Sequence, residues 1–278
     1  MTIVVSLKVG DGLVLGADSA STLMTGANEY INSYFNAEKL FNVKKGLPVG
    51  ALTFGLGGLA GRSVGSLAKD LRARFSDPDQ TDWYLDPSSY TVEQIAVRMR
   101  RYFYEELFVP QFQADLKAAP DMGFIVAGYS ANERNAEIWE VLVEGGHSPP
   151  PETRAEPTPG WAIYWQGQGE ALSRLVRGWS LQTLEKLIAA GMTPPEAIAL
   201  LDSVQPMIDP TMPIQDAIDL VHYLIDVTCG FVRFSPGNAT VAQPIDSAAI
   251  TPHEGFRWIR RKHYFNPGLN TPTSRELP

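Results

Sequence analysis

Thr2, Asp18 and Lys39 are the residues of this chain whose types and spacing suit covalent chemistry. A threonine hydroxyl is a weak nucleophile and needs a base. Removal of Met1 gives Thr2 a free α-amine, with an ordinary pKa of about 7.7 to 8. Lys39 beside that amine disfavours its ammonium form and leaves more of it free to act as base. Asp18 holds Lys39 in place and offsets its charge. Together the three supply nucleophile, base tuning and orientation for attack on an acyl carbonyl.

The elements that must position them are short strands. Thr2 opens an apolar run over 3–9, Gly10-Asp11-Gly12 forms a turn, and a second apolar run covers 13–17. Two such runs around an Asp-Gly turn predict a β-hairpin. The second run stops at Asp18-Ser19. A loop follows, and Glu38-Lys39-Leu40-Phe41-Asn42-Val43 opens the third strand. In an antiparallel pair the start of one strand lies beside the end of the next. All three side chains are therefore expected at one end of one sheet.

The segment from Thr2-Ile-Val-Val through Asp11-Gly12-Leu-Val-Leu-Gly-Ala-Asp18-Ser19 resembles the start of a proteasome β-type subunit, one of the N-terminal-nucleophile hydrolases. That family begins its mature chain with Thr, has Asp at the end of strand two and Lys in a Lys-Leu/Ile-aromatic run. Thr2, Asp18 and Lys39 in Glu38-Lys39-Leu40-Phe41 match in type and order, with a slightly longer loop before Lys39. The match is carried by the opening; after about residue 70 only the order of elements continues it.

The resemblance implies an α+β fold, a four-layer αββα sandwich, and a threonine-type peptidase acting on peptide or unfolded protein. It implies a homo-oligomer, a ring or related assembly, and leaves room for an unfoldase ATPase partner. It assigns the oxyanion-binding N–H to Gly55, with Gly57 the alternative, in Gly55-Leu-Gly57-Gly58. A glycine turn between strand and helix suits that task because the helix dipole helps. The family's serine between two glycines falls at Gly167-Gln168-Gly169, so Gln168 replaces it and is left a role at the amine or substrate, as is Ser19. An amide cannot relay protons as a hydroxyl does. A further Asp and Ser fall at Asn238 and Val241, or at Asp226 and Thr228.

Composition sets the outer bounds. The 278 residues suit one domain over 1–264 with a loose tail over 265–278. Lys+Arg total 23 and Asp+Glu 31, a formal charge of −8, which argues against nucleic-acid binding through a basic surface. No apolar run is long enough for a membrane span, and no secretory leader is visible. A single cysteine, Cys229, fits a reducing compartment, so the cytoplasm is expected. His147, His222, His253 and His263 are scattered without paired ligand spacing, so neither metal nor cofactor is expected.

Further along, 50–55 reads as a buried strand and 59–75 as a helix. Thr91-Val-Glu-Gln94 is a capping box opening a helix through Leu107, which Pro110 should kink or end. Strands follow at 123–129 and 136–143, the second with apolar and acidic residues alternating and so one wet face. The proline-rich stretch 148–159 reads as a surface loop, 161–165 as a strand, and 170–190 as one helix. Thr193-Pro-Pro-Glu196 starts another helix, Pro213 another, and 245–250 and 256–259 read as closing strands.

Two other readings compete. Gly61-Arg-Ser63-Val-Gly65 has the spacing of an esterase nucleophile elbow, which needs its serine directly after a strand, whereas a helix from 59 would already enclose it. A non-catalytic subunit that keeps the fold for assembly is the third class, motivated by Gln168 in place of serine.

Overall fold

The computed structural model describes residues 2–24, 30–201, 207–266 and 269. Met1, whose removal is expected, and most of the expected tail lie outside them. In chain order the strands are β1 (Ile3–Val9), β2 (Gly12–Ala17), β3 (Ser21–Met24), β4 (Tyr30–Tyr34), β5 (Leu40–Asn42), β6 (Val49–Gly55), β7 (Gly58–Leu59) and β8 (Arg62–Ser63). Helices α1 (Val64–Ser76), α2 (Val92–Arg100) and α3 (Val109–Phe112) follow, then β9 (Met122–Gly128), β10 (Glu137–Val143), β11 (Glu152–Ala155) and β12 (Ala162–Gly167). Helices α4 (Glu170–Leu172), α5 (Leu181–Ala189), α6 (Pro194–Leu201) and α7 (Ile214–Phe234) precede β13 (Asp246–Thr251) and β14 (Gly255–Arg260).

Two five-stranded antiparallel sheets carry the architecture. The first runs β12-β1-β2-β13-β14, the second β11-β10-β9-β6-β5. Apolar side chains of both meet in one cluster that includes Val4, Leu13, Leu15, Leu52, Ile125 and Ile250. The alternate residues Ile3, Val5 and Leu7 of β1 pack instead with Val221, Leu224 and Ile225 of α7. Likewise Ala51, Phe124 and Val126 of the second sheet pack with Leu67, Leu71, Ile95 and Phe103. Strands covered on both sides bury every position, which is why β1 and β2 read as mainly apolar runs rather than alternations, with Ser6 and Lys8 of β1 the buried exceptions.

The hairpin expected around Asp11 forms, with Val9 opposite Gly12. The segment between Asp18 and Lys39, read as a loop, contains the separate hairpin β3–β4, whose tip lies outside the described residues. Lys39 does precede a strand, but β5 belongs to the second sheet, not the first. Asp18 and Lys39 therefore face each other across the gap between sheets, correcting the expectation of one sheet end.

Five other expectations need correction. The helix read from 59 begins at Val64, because β7 and β8 make a short hairpin first and Ser63 caps the helix. Pro110 does not end its helix: residues Arg101–Phe108 widen into π turns, with the Val109 N–H on Tyr104 O, so the missing Pro110 N–H falls where the regular ladder is already interrupted. The acidic residues of β10 do not make a wet face. Glu140 is 2% exposed and accepts from Arg154 Nε at 2.9 Å and Gln166 Nε2 at 2.6 Å, while buried Glu137 accepts from Trp139 Nε1 at 2.6 Å. Arg154 comes from β11, an edge strand inside the stretch read as loop. Finally, the helix over 170–190 breaks at Gly178, which has φ 81°, and restarts with Ser180 as cap.

Candidate active site

The site grows from how β1 begins and β2 ends. Val4 pairs with Ala17, so Thr2 and Asp18 fall at the same end of that ladder. The Asp18 N–H donates to Ile3 O at 3.2 Å, and the Ile3 N–H donates back to Asp18 Oδ1 at 3.0 Å. This exchange extends the pairing by one residue using the carboxylate in place of a backbone carbonyl. The residue after Thr2 is thereby tied to Asp18.

The same oxygen, Oδ1, accepts from Lys39 Nζ at 2.6 Å. Oδ2 accepts from the Ala20 N–H at 2.9 Å and the Ala242 N–H at 3.3 Å. Asp18 is fully buried and Lys39 is 5% exposed. A buried carboxylate with three backbone N–H donors and an ammonium has its lone pairs filled, the condition under which such an ion survives away from water. Burial lowers the Lys39 pKa from the ordinary lysine value, against the charge and hydrogen bond of Asp18, which raise it; Lys262 lowers it further and Cys229 raises it.

Lys39 is fixed from the second sheet. Its carbonyl accepts from the Thr53 N–H of β6 at 2.9 Å. Two residues on, Gly55 ends β6 with φ 78°, where a Cβ would lie 2.3 Å from Asp121 O. Only glycine can turn the chain there. A Cβ on Gly57 would lie 3.0 Å from Ser21 Oγ, which places this turn beside the segment that follows Ser19. Both candidates for the oxyanion N–H thus stand on the turn that leaves β6. The turn leads into β7, not into a helix, so the dipole contribution expected of it is absent.

Opposite Thr2, β12 closes the site. Ile3 pairs with Gly167, and the Gln168 N–H donates to Thr2 O at 2.7 Å. Gly167 has φ 102°, and a Cβ there would lie 1.8 Å from Thr2 O. The Gly-Gln-Gly segment is therefore at Thr2, bound to it through backbone. Thr2 itself is 4% exposed.

Ser19, expected to meet substrate, is buried with its hydroxyl engaged: it donates to Pro244 O at 2.5 Å and accepts from Lys262 Nζ at 2.7 Å. The places assigned to the missing Asp and Ser do not fill those roles. Thr228 donates to Leu224 O within α7 at 2.8 Å, Asp226 is exposed and bonded to Gln243, Asn238 is exposed, and Val241 is in the core. Their loop reaches the site through backbone alone, by the Ala242 N–H on Asp18 and the Ser19 N–H on Ala242 O at 2.9 Å.

Three residues near the pair escaped the sequence reading. Cys229 on α7 has its thiol pushed up to about 12 by burial, with Asp18 and Asp226 adding to it. Asp246 and Lys262 form a largely buried ion pair. Lys262 lies beyond β14 in Arg260-Arg261-Lys262, a basic run that normally reads as a solvated strand end. Ser63 ends the two-residue strand β8 directly before α1, instead of lying inside a helix from 59, but its hydroxyl caps α1 by accepting from the Ser66 N–H at 3.2 Å. Among the described residues no histidine bonds to it, and His222 is buried against Ser247 Oγ at 2.7 Å.

Neither a family model nor a curated protein matches the chain. Among solved structures it is similar to the Gly-1 mutant of Anbu from Hyphomicrobium sp. strain MC1, at 15% identity and a TM-score of 0.49, over 94% of this chain and 86% of that one.

Proposed function

We propose that the chain is a threonine-type amidohydrolase that uses Thr2 after loss of Met1. The observation that carries this reading is the buried Asp18–Lys39 pair, whose shared oxygen also holds the residue next to Thr2. The Thr2 hydroxyl attacks an amide carbonyl and its proton passes to the terminal amine. The N–H of Gly55, or of Gly57, faces the oxyanion. Collapse expels the amine product, which takes the proton, and water then cleaves the ester to restore Thr2. Lys39 holds the amine in its free form by its charge.

The substrate class is peptide or unfolded protein. Transfer of the acyl group to another amine instead of water is a variant of the same chemistry. The three apolar clusters, one between the sheets and one outside each, support the four-layer αββα sandwich. A homo-oligomer in the cytoplasm, with or without an unfoldase ATPase, completes the reading. A non-catalytic subunit is the second reading, favoured by Gln168, whose amide stands where a hydroxyl would relay protons.

Intact-mass measurement is expected to show a chain lacking Met1 and carrying one equivalent of a peptide epoxyketone or β-lactone. Thr2→Ala removes that adduct entirely, and Ser63→Ala leaves it. A retained methionine on the purified protein, or an adduct that survives Thr2→Ala, refutes the proposal.

A further inference from the structure

Consecutive residues at the end of β2 are each gripped by an ammonium. Asp18 takes Lys39, and Ser19 takes Lys262 Nζ at 2.7 Å. Lys262 is anchored twice to Asp246 at the start of β13: its N–H donates to Oδ1 at 2.9 Å, and its ammonium pairs with Oδ2. The side chains of Lys262 and Asp246 are 12% and 4% exposed. The Ser19 O–H donates a hydrogen bond to Pro244 O at 2.5 Å, so the hydroxyl has one orientation and its lone pair is left for Lys262. A chain of contacts thus runs Asp246–Lys262–Ser19 and stops one residue from the carboxylate that holds Lys39.

We propose that Lys262 is a positioning residue for the Thr2 site: it fixes the Asp18–Ser19 corner and sets a second positive charge against Lys39. This inference rests on the Thr2 reading for its effect on chemistry. Two ammonium groups in a region from which water is largely excluded oppose each other more strongly than they would in solvent. Each has its own carboxylate, so neither is lost, but Lys39 gives up its proton more readily with Lys262 present. The charged and titratable groups that act on Lys39 are Asp18 from the end of β2, in direct contact with it, and, through their charge, Lys262 from beyond β14 and Cys229 from α7. A solvated lysine at a strand end would do none of this; burial is what makes position 262 matter.

The test uses the full chain with Lys262→Met, Lys262→Arg and the double variant Lys262→Met/Asp246→Asn. The double variant leaves no buried carboxylate without a partner, so it keeps the comparison readable if the single variant folds poorly. Lysine side chains carrying ¹³C at Cε report the titration of Lys39 by NMR whether or not the protein is an enzyme. The Lys39 midpoint is expected to move upward in both methionine variants and to stay near wild type in Lys262→Arg. An unmoved Lys39 midpoint in the methionine variants overturns the proposal. A moved midpoint in a protein that takes no label at Thr2 leaves the electrostatic link standing and removes the Thr2 reading instead.

Discussion

Asp18→Ala is expected to cost roughly 3–5 kcal/mol of folding stability and to abolish labelling at Thr2. The size follows from what the substitution leaves behind. The N–H groups of Ile3, Ala20 and Ala242 lose their acceptor in a buried place, and Lys39 loses its counter-ion. An orphaned buried donor costs about 1–3 kcal/mol, and an orphaned buried charge costs more. Part of the charge cost is avoidable, because Lys39 can release its proton, which burial already favours. Asp18→Asn separates the two roles. Its amide oxygen keeps the shape and an acceptor but loses the charge, so it should retain more stability than alanine while still losing the chemistry. Urea unfolding read by fluorescence, alongside adduct mass, distinguishes these outcomes. Equal stability of the alanine variant and wild type would mean that the carboxylate does not hold the corner together.

Gly167→Ala is expected to be the most damaging single-methyl change near the site, roughly 3 kcal/mol or more. Two causes act together. The backbone at 167 sits at φ 102°, outside what an L side chain accepts readily, and the added carbon would meet Thr2 O at 1.8 Å. That obstacle is backbone in a paired strand, so it has no rotamer to move to. Relief requires β12 to part from β1, which also breaks the Gln168 N–H bond to Thr2 O. Calorimetry should show a lower Tm, and labelling at Thr2 should fall with it. Gly46→Ala is a useful control, because it shares a positive φ, 85°, but meets nothing within 4 Å.

The opening of the chain was the most legible part because local chemistry determines it. An Asp-Gly turn between apolar runs is a strong local signal for a hairpin, and the ends of that hairpin fix where Thr2 and Asp18 go. Caps were legible for the same reason: Thr91 accepts from the Gln94 N–H, and Glu196 accepts from Thr193. What misled was pattern without partner. Glu137 and Glu140 alternate with apolar residues as on a wetted strand, yet Trp139, Arg154 and Gln166 satisfy them in the interior. Pro110 fits because the helix widens before it. Lys39 was correctly paired with Asp18, but nothing local could reveal that its strand joins the other sheet. Lys262 was invisible since its partners lie 16 and 243 positions away.

That Asp18 and Lys39 belong to different sheets ties chemistry to mechanics. The ion pair acts as a rivet through the sandwich, and its geometry depends on how the two halves slide over one another. Mild heating or dilute urea that loosens the interlayer should therefore silence Thr2 before either sheet unravels. Parallel measurement of labelling and far-ultraviolet dichroism would show activity lost first; coincident loss would mean that the halves move only as one.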